Sequence, residues 1–366
     1  MPRTVRLTLK LALAAAIVIL VVALPRFASE LRVGQFTYVA IYFIALLGLS
    51  VLSGWSGQIS LGHGAFMGIG AYAGAVAMLG RPGLELQNLH PAGWLPLGGG
   101  MRPIFVIPIA GLIAGILGYA FGIPALRLAG VSLALATFAV AVSLPQVAKR
   151  FDQLTGGGGG VVLTQPRTPF GLHVSPSHWL YYEAWAAAGI LALVAWLLLR
   201  GRAGRALGAL RDGEIAAVAS GISPALYKTF AFGVSSASAG VAGALLAIQV
   251  AFVNPDTFPV SLSILLLASL VLGGLTSLYG ALIGAVVLQF LPIYAQSPPL
   301  LSASFAKEAP AVVYGIVLIL AMFVAPTGLV GLLRGLRNSI IRRLDRSHRA
   351  TGGPTVIGPS RRAETP

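Results

Sequence analysis

Long apolar stretches bounded by charge, proline or glycine alternate with short polar segments along nearly the whole chain. A bilayer core about 30 Å thick takes roughly 20 apolar residues as a helix. Ten stretches approach that length: Leu7 to Leu24, Val33 to Leu52, Ser56 to Leu79, Ile104 to Ile123, Leu128 to Val147, Trp179 to Leu199, Thr229 to Val250, Ser261 to Gly274, Ser277 to Pro292 and Ala311 to Leu333. The eighth would rise only about 21 Å as a helix, too short for a comfortable crossing, and is expected as a short span or half of a broken, re-entrant element. The pattern predicts an all-α polytopic transmembrane helix bundle of about ten membrane segments, one or two of them short or broken.

Composition sharpens this picture. Of 366 residues, 57% are hydrophobic and 10% charged, and the mean hydropathy is +0.87. That leaves too little polar surface to coat a soluble globule. The net charge of +15 would suggest a nucleic-acid partner in a soluble protein, but in an apolar chain it reports orientation. With the N-terminus inside and the spans alternating, the inside segments hold Arg3, Arg6, Lys10, Arg127, Arg200, Arg202, Arg205, Arg211 and Lys228. They also hold the tail residues Arg334, Arg337, Arg342, Arg343, Arg346, Arg349, Arg361 and Arg362, which makes 17 of the 25 basic residues. Short Lys/Arg-rich loops stay cytoplasmic, so both termini are expected in the cytoplasm, and no nucleic-acid role is expected. The stretch from Arg3 to Leu24 resembles a secretory signal but is read as a retained first span. With Cys 0 the chain has no disulfide, thiolate metal site or cysteine nucleophile.

The expected organisation is a membrane domain over residues 1–333 and a basic cytoplasmic tail over 334–366, whose Pro-, Gly- and Arg-rich end from Ala350 is expected to be disordered. A long loop, 148–178, lies on the external side and contains the run Gly156 to Gly160. The run lacks the Lys-Ser/Thr and helix of a phosphate-binding P-loop and reads as flexible external loop. The other long loop, 200–228, is cytoplasmic. Its alanines and charges, followed by Gly221, predict a short surface helix ending at a glycine cap.

The spans hold almost no ionisable group. The ten acids, Glu30, Glu85, Asp152, Glu183, Asp212, Glu214, Asp256, Glu308, Asp345 and Glu364, fall in loops or at span edges, so a midplane proton relay is not expected. Sodium coupling through backbone carbonyls keeps a self-sufficient secondary carrier as an alternative. A membrane enzyme is disfavoured, because the spans contain no metal-spaced His/Asp/Glu cluster and no nucleophile motif. Glycine pairs four residues apart, Gly64 and Gly68, Gly70 and Gly74, Gly111 and Gly115, Gly118 and Gly122, Gly280 and Gly284, predict tight helix packing.

One stretch, Ser53-Gly54-Trp55-Ser56-Gly57-Gln58-Ile59-Ser60-Leu61-Gly62-His63-Gly64, is too polar for a lipid-facing helix. It reads equally as a broken helix lining a cavity or as a helix–helix turn with a satisfied histidine.

Three blocks resemble one family, the integral-membrane permease subunits of bacterial ABC importers for branched-chain amino acids (LivM/LivH type). The first, Gly48 to Ala75, carries Gly57-Gln58-Ile59-Ser60-Leu61-Gly62-His63. The second, Gly204 to Ala231, is similar to the family's coupling loop at Gly204, Arg205, Ala206, Arg211, Asp212, Glu214, Ala216, Ala217, Gly221, Tyr227 and Lys228. The third, Leu265 to Pro292, is like the family's late Gly-Gly helix pair. The likeness runs from Val33 to Gly331 and favours the LivM branch through Leu154-Thr155-Gly156-Gly157. Five consecutive glycines and Gly213 depart from the family pattern.

The resemblance implies a multi-pass subunit of the bacterial inner membrane without chemistry of its own. Its partners would be a homologous second permease, two cytoplasmic ABC ATPases and a periplasmic substrate-binding protein. No cofactor is expected in this chain; ATP-Mg would sit on the ATPases, in keeping with the absence of a lysine after glycine here. Substrates would be branched-chain or related amino acids, or alternatively urea or short amides. Gln58, Ser60, His63 and Phe66 are the candidate pathway residues. Arg205, Arg211, Asp212, Glu214, Ala216, Ala217 and Gly221 are the candidate ATPase-coupling residues, with Arg211, Asp212 and Glu214 as the polar face toward the ATPase.

Overall fold

The computed structural model describes residues 21–79, 101–125, 128, 130–163, 175–295, 315–316, 319 and 328–332. Six helical segments among them are long and apolar enough to cross a membrane, and two more are apolar but shorter. In chain order the main helices are α1 (Glu30–Leu49), α2 (His63–Leu79), α3 (Pro103–Ala125), α4 (Val131–Arg150), α5 (Pro176–Arg200), α6 (Arg202–Asp212), α7 (Glu214–Ala219), α8 (Pro224–Val250), α9 (Val260–Gly273) and α10 (Leu278–Ala295). The expected first span, Leu7 to Leu24, and last span, Ala311 to Leu333, fall largely outside the described residues, as does the tail 334–366.

The bundle is built around α8, which packs against α3, α2 and α1. Its composition explains this position. In lipid, helices gain from close van der Waals approach rather than hydrophobic exclusion, so small residues mark the contact faces. Gly70 and Gly240 meet backbone to backbone, and Gly243 lies against the Met67 carbonyl. On α3, Gly111, Gly115, Gly118 and Gly122 all face α8, next to Val241, Ala237, Ser236 and Thr229 respectively. Gly48 of α1 abuts Ser238 and the Ser235 carbonyl. Phe66, Phe121 and Phe232 fill the space between α2, α3 and α8 as a three-ring cluster with centroids 5.6 to 6.4 Å apart. The third glycine-rich block folds as an α9–α10 hairpin, in which Gly280 and Gly284 lie on the backbones of Gly273 and Ser269.

Two groups of contacts gather at opposite ends. At one end Gly54 meets Arg211 and Leu275, and Gln58 meets Lys228. At the other, β1 (Val161–Val162) pairs antiparallel with β2 (Phe252–Val253), and Lys149 bridges Asp256 at 3.0 Å. These are the two sets of loops that the alternating reading assigns to opposite sides of the membrane.

Three expectations are corrected. The predicted span Ser56 to Leu79 is helical only from His63; residues 56–62 are non-helical, because Gly57 takes φ +72°, outside the helical region. The glycine run 156–160, expected as a flexible external loop, forms a defined turn. Gly156, Gly157 and Gly160 all have positive φ, and the turn delivers Val161 into the strand pair. The loop 200–228 folds as two helices, not one, since Gly213 is extended between α6 and α7.

Candidate functional site

The polar stretch after α1 begins with a π-helical turn, Ser50–Trp55. The Ser56 N–H donates to the Val51 carbonyl (3.1 Å) and the Gln58 N–H to the Leu52 carbonyl (3.1 Å). In an α-helix the Gln58 N–H would reach Gly54. Its diversion leaves the Gly54 carbonyl to accept instead from Nη1 of Arg211 at 2.9 Å. Single π turns of this kind recur at functional sites.

All four candidate pathway residues are buried. The Gln58 side-chain amide donates to Ser56 Oγ and to the Lys228 carbonyl (3.4 Å). Ser60 Oγ accepts from the Gly62 N–H (3.3 Å), and His63 Nε2 donates to the Ala45 carbonyl (2.8 Å). Phe66 belongs to the three-ring cluster. The helix is broken and its histidine is satisfied, with all four side chains packed inside the chain.

The break is held from both flanks. Leu61 N–H donates to Thr137 Oγ1 of α4 (2.9 Å), and Gly64 N–H donates to Ser263 Oγ of α9 (2.9 Å). These are N–H groups at the start of α2 that the helix itself cannot satisfy. Gly62 and Gly64 are needed at these crossings, since a Cβ there would press on the Thr137 carbonyl and on Ser263 Oγ.

The second candidate region is the α6–α7 pair. The inner face of α6, Gly204, Leu207 and Leu210, is buried, with Gly204 seated on the Leu199 backbone. Gly221 closes α7. At φ +82° it lets its own N–H reach the Val218 carbonyl (2.9 Å) and the Ile222 N–H reach Ala217 (3.0 Å), a Schellman cap.

Of the candidate coupling residues, Arg205, Arg211, Asp212, Glu214, Ala216 and Gly221 are exposed. Arg205 donates to the Arg200 carbonyl (3.3 Å), and Glu214 accepts from Lys228 Nζ (2.7 Å). Two of the candidates are engaged within the chain. Ala217 is buried within the chain, and Arg211 spends one guanidinium nitrogen on Gly54 while Nε pairs with Asp212 (3.2 Å). Sequence reasoning missed Ile215 and Val218. They are 89% and 50% exposed, one helical turn apart on the outer side of α7. Apolar residues at spacing three in a charged loop were the available signal, but that spacing equally fits an inward face.

The family model described as "Branched-chain amino acid transport system / permease component" matches residues 32–322. Among curated proteins the chain is 34% identical over 296 residues to the high-affinity branched-chain amino acid transport system permease protein LivM of Escherichia coli (strain K12). It has the same identity over the same length to its counterpart from Salmonella typhimurium. Each alignment covers 75% of this chain and 65% of the relative, so the chain spans about two thirds of the relatives' length. No solved structure matches.

Proposed function

The chain belongs to the family of branched-chain amino acid transport permease components, and from that premise we propose that it is the membrane-embedded permease subunit of an ATP-driven ABC importer for branched-chain or related amino acids. It forms the translocation path with a homologous second permease, takes substrate from a periplasmic binding protein and is driven by two cytoplasmic ATPases that carry ATP-Mg. It lies in the bacterial inner membrane with about ten segments and with residues 200–228 and both ends of this sequence in the cytoplasm.

The observation that carries this reading, beyond the family, is the α6–α7 pair. It lies at the end of the bundle that holds Gly54 and Leu275, is anchored by a buried inner face and presents Ile215 outward. Ile215 and Val218, one turn apart on a short charged helix, give it an apolar outer face of the kind a partner's groove takes up. The ATPase contact is then formed by Ile215 and Val218 with Glu214, Ala216, Asp212 and Arg205 around them, and Gly221 sets the direction of the tip. Gln58, Ser60, His63 and Phe66, at the break between α1 and α2, form the part of the path that rearranges as the two permeases alternate between outward and inward access.

The test is reconstitution in proteoliposomes. ATP-dependent uptake of leucine that requires the ATPases, the second permease and the binding protein supports the proposal. Uptake by this chain alone under an ion gradient would make it a secondary carrier. ATP-dependent uptake of urea or acetamide in place of leucine would change the substrate and leave the mechanism standing.

A further inference from the structure

Residues 54–58 and the loop 202–228 are tied together at two points. From the last turn of α6, Arg211 Nη1 donates to the Gly54 carbonyl (2.9 Å). The aliphatic stem of Arg211 runs over Gly57, where an added Cβ would sit 2.8 Å from Arg211 Cγ. From the other direction, the Gln58 amide donates to the Lys228 carbonyl near the start of α8, and the Lys228 ammonium holds Glu214 of α7. The first tie exists only because the π turn diverts the Gln58 N–H to Leu52 and so exposes the Gly54 carbonyl. Beyond the tie, the broken segment is pinned to α4 by Thr137 and to α9 by Ser263. A displacement of α6 along the Arg211 side chain is therefore applied directly to the break, and through it to two further helices.

We propose that Arg211 is a positioning residue that transmits movement of the α6–α7 pair to the π turn and the broken segment 50–62, rather than a residue that docks the ATPase. This rests on the ATP-driven reading above. A guanidinium suits the task because its planar fork holds a carbonyl and a carboxylate at once, here Gly54 and Asp212, which an ammonium does less well. The neighbouring end of the α9–α10 hairpin, where the Leu275 carbonyl lies on Gly54, sets the direction in which the turn can yield.

The chain contains no cysteine, so introduced pairs can be spin-labelled without interference from this subunit. In the assembled complex in nanodiscs, one pair reports the loop (Ser220→Cys with Ile123→Cys) and another the broken segment (Ile59→Cys with Ile123→Cys). With the native Arg211, ATP plus vanadate is expected to shift both distance distributions. With Arg211→Ala, the loop pair still shifts and the segment pair does not. Uptake falls roughly tenfold, in the usual range of coupling effects, while the ATPases remain bound and continue to hydrolyse ATP. Arg211→Lys, which keeps the charge and loses the fork, is expected to give an intermediate loss.

A segment pair that still shifts in Arg211→Ala overturns the proposal. Loss of the ATPases from Arg211→Ala also overturns it, by making the residue a docking contact. A loop pair that never responds to nucleotide, even with native Arg211, defeats the ATP-driven reading itself.

Discussion

His63 is tied to Ala45 across the α1–α2 interface: Nε2 donates to the helical carbonyl at 2.8 Å, with both residues buried. The bond fixes the first residue of α2 to the middle of the buried half of α1 and so sets where the broken segment ends. His63→Ala removes the bond and leaves a void, and is expected to cost about 1–3 kcal/mol. A fluorescence-based melting curve in detergent should show a clearly lower Tm. An unchanged Tm would mean that the contact contributes nothing to the fold.

The glycine stripe makes a contrasting pair of predictions. A Cβ at Gly243 would overlap the Met67 carbonyl, and no flexible side chain is there to yield. Gly243→Ala must push α2 from α8 and is expected to destabilise by about 1–3 kcal/mol. Gly208, inside α6, has nothing within 4 Å of its added Cβ. Gly208→Ala is therefore expected to stabilise by up to about 1 kcal/mol through helix propensity. Parallel melting curves of the two variants test the stripe, and the same sign for both would refute it.

Ile215, almost fully exposed on α7, carries little of the chain's own stability. Ile215→Asp and Val218→Asp should insert and melt like the parent chain yet fail to retain the ATPase subunits on co-purification, with ATP-dependent uptake falling at least tenfold, as for a central interface anchor. Retention of the ATPases by both variants would show that the contact lies elsewhere on the loop.

Gly221 holds φ +82° and donates its N–H to Val218. Gly221→Ala strains the backbone by roughly 1–2 kcal/mol. Gly221→Pro also removes the donor and demands a negative φ, so it should misdirect α7 and abolish uptake while the chain still inserts. Asp212→Arg replaces the carboxylate partner of Arg211 with a like charge and should have a similar effect on uptake. Normal transport by both Gly221→Pro and Asp212→Arg would reduce the loop to a topological anchor.

The spans were legible because length and apolarity are local properties. The predicted stretches at Ile104, Leu128, Trp179 and Thr229 lie within or nearly within α3, α4, α5 and α8. The Schellman glycine at Gly221 was legible for the same reason, as was the packing role of Gly111 to Gly122. The π turn was not. The Gln58 N–H reaches six residues back to Leu52, and the Gly54 carbonyl this frees is taken by Arg211, 157 residues away, a pairing no local pattern encodes. The β1–β2 pair was equally hidden, because two-residue strands 90 positions apart carry no periodicity. At the candidate site, residue type pointed Arg211 outward and would have placed Ile215 inward. Ile215 faces outward instead, and Arg211, exposed as its type suggests, also reaches in to the Gly54 carbonyl, a partner no local pattern announces.

A helix held on three flanks by backbone-to-backbone glycine contacts, as α8 is, cannot slide sideways without opening voids that neither lipid nor water can fill. It serves as an axle. In the ATP-driven cycle proposed above, the moving parts would turn about α8 with α2 and α3 attached, and work delivered at α6–α7 would go to the elements that touch this axle least.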